Sequence, residues 1–137
     1  MSTIPVLNKS KQFASNLCSA HELMLKAKIG SKGNSLVKRY GVPAFNVTTY
    51  SGIDAACEAF DTLGASGILA FSQSALKHFG NGDAIKGLER ASGYVNMISK
   101  DYKVKIATHL DHGDYIDPNG KKIIDAAIEC LTSVMAD

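Results

Sequence analysis

Two hydrophobic periods alternate along the chain. Short runs that are apolar almost throughout are followed by longer stretches whose apolar residues fall three and four apart. These are the patterns of strands covered on both faces and of amphipathic helices. VPAFNVTT predicts a first strand at 43–48. Ser51 and Asp54 then have capping-box spacing, and Ile53, Ala56, Cys57, Phe60 and Leu63 continue at helical spacing to Gly64, placed where a helix-ending glycine belongs. SGILAFS predicts a second strand at 67–72, followed by a loop around Gly80–Gly82. Asp83 can cap the next helix, with the stripe Ile85, Leu88, Ser92, Val95 and Ile98. VKIATHLD predicts a third strand at 104–111. KKIIDAAIEC predicts a helix with Ile123, Ile124, Ala127 and Ile128 inward, and LTSVMAD a fourth strand. Ahead of all this, Ser19 and Glu22 have capping-box spacing for the helix HELMLKAKI, which Gly30 would end. GSKGNS, from Gly30 to Ser35, reads as a linker, because no strand precedes its glycines and Lys32 and the phosphate-loop spacing is absent.

Strands alternating with helices predict parallel βαβ units, built either as a doubly wound open sheet or as an arc of a (β/α)8 barrel. No GxGxxG follows the first strand, which counts against a dinucleotide-binding open sheet.

Composition narrows the function. The chain has 137 residues, 45% hydrophobic and 20% charged, the make-up of one modest globular domain. A net charge of +2 argues against a strongly basic nucleic-acid binder, and no apolar run approaches a membrane span, so neither nucleic acid nor membrane is expected as a partner. The charge is uneven: residues 1–40 carry seven Lys/Arg and one acid, Glu22, while the remainder carry eight against twelve. Residues 1–40 therefore read as a basic extension carrying one helix and residues 41–137 as the domain proper. Cys18, Cys57 and Cys130 are odd in number and form no CxxC pair. They read as reduced thiols of a cytoplasmic protein, with an organelle as the alternative that the basic leader leaves open.

Polar residues gather where each strand ends: Asn46, Thr48 and Thr49; Ser72 and Gln73; His109, Asp111 and His112; and Asp137. In parallel α/β folds that carboxyl edge is where sites are built. THLDHGD, from Thr108 to Asp114, is the densest cluster. A period of two puts Ala107, His109 and Asp111 on one face and Ile106 and Leu110 on the other, with the apolar pair toward the helices. Two imidazoles bracketing a carboxylate suit a metal or a proton-transfer pair, and equally a hydrogen-bonded polar cap. His21 and His78 read as surface residues on a helix and a loop.

PAFNV at 43–47, GILAFSQSALKHF at 67–79, HLDHG at 109–113 and TSVMAD at 132–137 resemble class II, metal-dependent fructose-bisphosphate aldolases, in that family's order and about its spacing. The resemblance covers about residues 20–137, and HLDHG is its most specific block. It implies an α/β fold, the first four strands of a (β/α)8 TIM barrel with an amino-terminal helical extension. The implied reaction is reversible cleavage of fructose 1,6-bisphosphate to dihydroxyacetone phosphate and glyceraldehyde 3-phosphate; a tagatose-bisphosphate aldolase is the alternative within the family. By resemblance Asp111 is the acid/base carboxylate, His112 a Zn2+ ligand, His109 a supporting residue, and Asn46 and Ser72 line the substrate pocket. Asp137 matches the acid that ends strand four and is associated with a second cation site, although Ala136 stands where a bulkier aliphatic residue is usual.

A catalytic zinc usually has three protein ligands, and barrel phosphate sites commonly follow strands seven and eight. The chain covers only four of eight expected βα units. It is therefore expected to be the amino-terminal half of an aldolase, inactive when isolated. A non-catalytic half-barrel interaction module and a barrel closed by two copies are the alternatives. Unpaired edges at strands one and four predict self-association or pairing with a missing carboxyl-terminal half.

Overall fold

The computed structural model describes residues 13–29 and 40–137; the helix stop at Gly30 and the linker after it lie outside the described residues. In the described residues four strands, β1 (Ala44–Asn46), β2 (Gly67–Ser72), β3 (Ile106–Gly113) and β4 (Ser133–Ala136), form one parallel sheet in the order β1-β2-β3-β4. Among the described residues five helices accompany them: α1 (Ala20–Ile29), α2 (Tyr50–Thr62), α3 (Gln73–Phe79), α4 (Ala84–Ile98) and α5 (Pro118–Cys130), with a 3-10 turn at Ser99–Asp101. Strand order follows chain order with no reversal. A doubly wound sheet needs a switch point, so this is the arc of a barrel.

The two faces of the sheet differ as a barrel requires. Leu69, Phe71, Ile106 and Leu110 point outward into the main core with Ile53, Cys57 and Phe60 of α2, Leu76 of α3, Leu88 and Val95 of α4, and Ile123 and Ala127 of α5. Burying such side chains contributes about 1.5–3 kcal/mol each. Burial also pushes the Cys57 thiol up to about 11, which keeps it protonated. On the opposite, inner face a second cluster joins Ile68 and Ala107 to Cys18, Ala20 and Leu23. Helix α1 therefore lies against the amino end of the inner face rather than standing free in solvent. Its approach is fixed by backbone pairing: Ile106 N–H donates to Asn16 O and Cys18 N–H to Ile106 O, both at 3.0 Å. This fills the edge of β3 below the point where β4 begins. The carboxyl end of the same face stays open.

Several expectations are corrected. The cap of α2 is Thr49, not Ser51: Thr49 is extended (φ −138°, ψ 158°) and its Oγ1 accepts from Gly52 N–H at 3.0 Å, while Ser51 already lies in the first turn. Leu63, expected in the buried stripe, is 78% exposed at the position after the last turn, and Gly64 follows at φ +61° as a helix-ending glycine. Residues 73–79, to which the sequence assigns no element and in which His78 is expected on a loop, form α3. Ser72 accepts from Ala75 N–H at its start, and Ala75, Leu76 and Phe79 are buried; His78 is exposed in its last turn. Ile85 and Ile128 face outward. α4 instead buries Ala84, Gly87, Leu88, Ala91, Ser92 and Val95, a narrow face on which small residues let α3 come close. α5 begins at Pro118, three residues early, because Asp117 accepts from Gly120 N–H at 2.8 Å and proline fits the first helical position.

Candidate active site

The site assembles from the carboxyl ends of β1, β3 and β4. Register places Asn46 beside Ala70, Ala70 beside His109, and Ser72 beside Asp111, so these positions share the inner face. Across three strands, Asn46 Nδ2 donates to Asp111 Oδ2 at 3.3 Å. The Asp111 side chain is one-quarter exposed, reachable from the open mouth yet held on one side.

His112 reaches the same mouth through a break in the sheet. Period two would turn it to the opposite face from Asp111. Between Leu110 and Gly113 the register with β4 shifts: three steps on β3 run against two on β4, from Val134 to Ala136. The extra residue is a bulge, and His112 sits in it at φ +55°, a left-handed conformation uncommon for a residue with a Cβ. The third strand therefore does not give way to loop after Asp111, as its alternation predicts; it bulges and resumes pairing at Gly113. In this conformation His112 Nε2 stands 3.8 Å from Asp111 Oδ1, and Nδ1 donates to Asp137 Oδ2 at 2.7 Å. That hydrogen bond, with the charge of the same carboxylate, raises the His112 imidazole above its ordinary value. Asp137 is tied at the backbone too, its N–H donating to Gly113 O at 3.0 Å and its carbonyl accepting from Tyr115 N–H at 3.2 Å.

The remaining expected residues are placed differently. His109 is half-buried with Nδ1 2.6 Å from Ser133 Oγ, away from the Asn46–Asp111–His112–Asp137 chain of contacts. Ser133 was not among the residues singled out in the sequence; its one signal is that period two puts it on the same face of β4 as Met135 and Asp137. Ser72 neighbours Asp111 by register, but its Oγ caps α3 and lies 3.0 Å from Ser74 Oγ. One strand residue thus ends β2, starts α3 and borders the mouth.

Burial lowers the His109 imidazole below its ordinary 6.5, outweighing the attraction of Asp111. Between that depressed value and 6.5 the unfolded chain takes up a proton that the folded chain does not. His109 therefore costs stability as pH falls below about 6.5. His112, raised, works in the opposite sense, its contribution present below 6.5 and lost as pH rises through its folded value. The urea midpoint of a His109→Gln variant should fall less between about pH 7.5 and 5.5 than that of the parent chain; equal falls would mean that His109 is not the group responsible.

Among the described residues, no group of three or more His, Cys, Asp or Glu side chains could hold a metal ion, and no helix is long and apolar enough to cross a membrane. With Nδ1 engaged by Asp137, His112 keeps one nitrogen for a further partner. That donor chemistry fits one position of a zinc site, not a whole one.

Residues 34–137 match the family model described as fructose-bisphosphate aldolase class-II. A fructose-bisphosphate aldolase of Thermus caldophilus is 34% identical over 98 residues, covering 72% of this chain and 28% of its own length. That of Mycobacterium bovis is 31% identical over 84 residues, covering 58% of this chain and 24% of its own. The crystal structure of fructose-bisphosphate aldolase from Campylobacter jejuni superposes with a TM-score of 0.72 at 23% identity, over 89% of this chain and 38% of that one. The chain thus spans about a quarter of the length of the curated relatives it matches.

Proposed function

The chain belongs to the class-II fructose-bisphosphate aldolase family, and on that premise we propose that residues 41–137 form the first half of a (β/α)8 aldolase domain and carry its acid/base group. The reaction proposed is reversible cleavage of fructose 1,6-bisphosphate to dihydroxyacetone phosphate and glyceraldehyde 3-phosphate, in the cytoplasm, with residues 1–40 as a basic extension. One observation supports the reading above others: Asp111, at the open carboxyl edge, is held by Asn46 from one side and faces His112 from the other.

In the cleavage direction the Asp111 carboxylate takes the proton of the C4 hydroxyl. The C4–O electrons form the aldehyde carbonyl, the C3–C4 bond breaks, and its electron pair passes toward the C2 ketone oxygen as an enediolate, which takes up one proton at C3 to become dihydroxyacetone phosphate. In the condensation direction Asp111, protonated, returns that proton to the aldehyde oxygen. Proton transfer of this kind supplies about 10²–10⁴-fold. Asn46 donates to Oδ2 and so orients the carboxylate, leaving Oδ1 on the His112 side. His112 would hold zinc, which when bound supplies a Lewis acid for the developing oxygen charge. Ser72 and Asn46 border the space a sugar phosphate would enter. The remaining zinc ligands and the phosphate-binding loops are assigned to four further βα units, either continuous with this chain or brought by another.

The test is the 137-residue chain alone, purified metal-free and then given zinc. It should bind zinc weakly and release no dihydroxyacetone phosphate from fructose 1,6-bisphosphate. Turnover that Asp111→Ala abolishes would overturn the half-site reading and show that two copies close a working barrel.

A further inference from the structure

Asp137 holds His112 from the side of the ring away from Asp111. Its Oδ2 is 2.7 Å from Nδ1, the ring nitrogen on the side away from Asp111, and its backbone is fixed at both N–H and carbonyl to the residues on either side of Asp114. The imidazole it holds sits in a left-handed bulge, where the backbone leaves the ring poorly determined by sheet packing, and its side chain is 68% exposed. An exposed, unpacked ring needs a partner to fix it, and a carboxylate on one nitrogen fixes both the ring's orientation and its tautomer.

We infer that Asp137 is a positioning residue: it holds His112 in the Nδ1–H tautomer and turns the unprotonated Nε2 toward the mouth beside Asp111. The assignment gives Asp137 a role toward His112 that is separate from the second cation site expected of it from the sequence. Its consequence for zinc rests on the functional reading above; the tautomer itself does not. An imidazole without such a partner favours the Nε2–H form, which offers no lone pair toward the mouth.

The experiment is nitrogen NMR of the metal-free, full 137-residue chain at about pH 8.5, where imidazoles are neutral, followed by zinc titration. In the parent chain His112 should show a protonated Nδ1 and an unprotonated Nε2. Asp137→Ala should shift it toward Nε2–H and weaken zinc binding about 10–100-fold. Asp137→Asn, which keeps an acceptor oxygen, should retain the tautomer and most of the affinity. An Nε2–H form in the parent chain, or a tautomer unmoved by Asp137→Ala, overturns the inference. Loss of zinc in Asp137→Asn as severe as in Asp137→Ala, with the tautomer kept, would make Asp137 itself a ligand and overturns it as well. If the tautomer follows Asp137 while zinc affinity does not, the positioning role stands and the zinc role proposed for His112 fails.

Discussion

Gly87→Ala should cost the fold about 3 kcal/mol or more, whereas Gly93→Ala two turns further along the same helix should stabilise it by about 0.5–1 kcal/mol. Both replace glycine by the best helix former, and by propensity alone both should help. The difference is space. A Cβ on Gly87 would fall on the carbonyl oxygen of Leu76 in α3 and within 2.9 Å of Gly80 N, while a Cβ on Gly93 meets nothing within 4 Å. The obstacle is backbone, which cannot rotate aside, so α3 and α4 must separate and open the core around Leu76 and Leu88, both fully buried. Overpacking of this kind typically costs 1–3 kcal/mol and more where backbone must move. Urea midpoints of the two variants check it. A small effect at Gly87 would mean that α3 is not packed on α4 as described.

Asp111→Asn should reduce retro-aldol turnover about 10²–10⁴-fold in a completed barrel, mainly in kcat. The amide keeps the size of the carboxylate and can still accept from Asn46, so stability and substrate affinity should change little. What it loses, in the role proposed for Asp111, is the ability to take the hydroxyl proton. Asn46→Ala should lower activity less, since it removes the hydrogen bond to Asp111 and not the carboxylate proposed to react. Steady-state kinetics on both variants separates the two roles. A residual rate near that of the parent for Asp111→Asn would assign the proton transfer to another group.

The parallel arc was legible because its strands are short apolar runs and its helices carry stripes; Ile53, Cys57 and Phe60 fall where periodicity puts them. His109 and Asp111 on one face, with Ile106 and Leu110 on the other, follow from period two alone. Three features were not legible, each for a physical reason. α3 has seven residues, fewer than two full turns, so its three buried side chains make no stripe that a loop could not contain. The bulge at His112 breaks the very alternation that a strand reading assumes, and nothing in HLDHG marks the extra residue except the glycine after it. The contact of His112 with Asp137 joins residues 25 apart in sequence, and only the closing of β4 onto β3 brings them together. The packing of α1 on Ile68 and Ala107 likewise depends on which face of the sheet is left open, a property of the arc and not of the helix sequence.

The function proposed for this chain makes it the reacting half of an aldolase site that works only when the barrel is complete. The most direct measurement folds the chain together with the fifth to eighth βα units of a full-length family member, adds zinc, and follows dihydroxyacetone phosphate release from fructose 1,6-bisphosphate. Turnover is expected from the pair, none from either part alone, and none above background when the chain carries Asp111→Asn. A pair that assembles into one folded barrel with zinc bound and yet releases no product, or that releases it undiminished with Asp111→Asn, would contradict it.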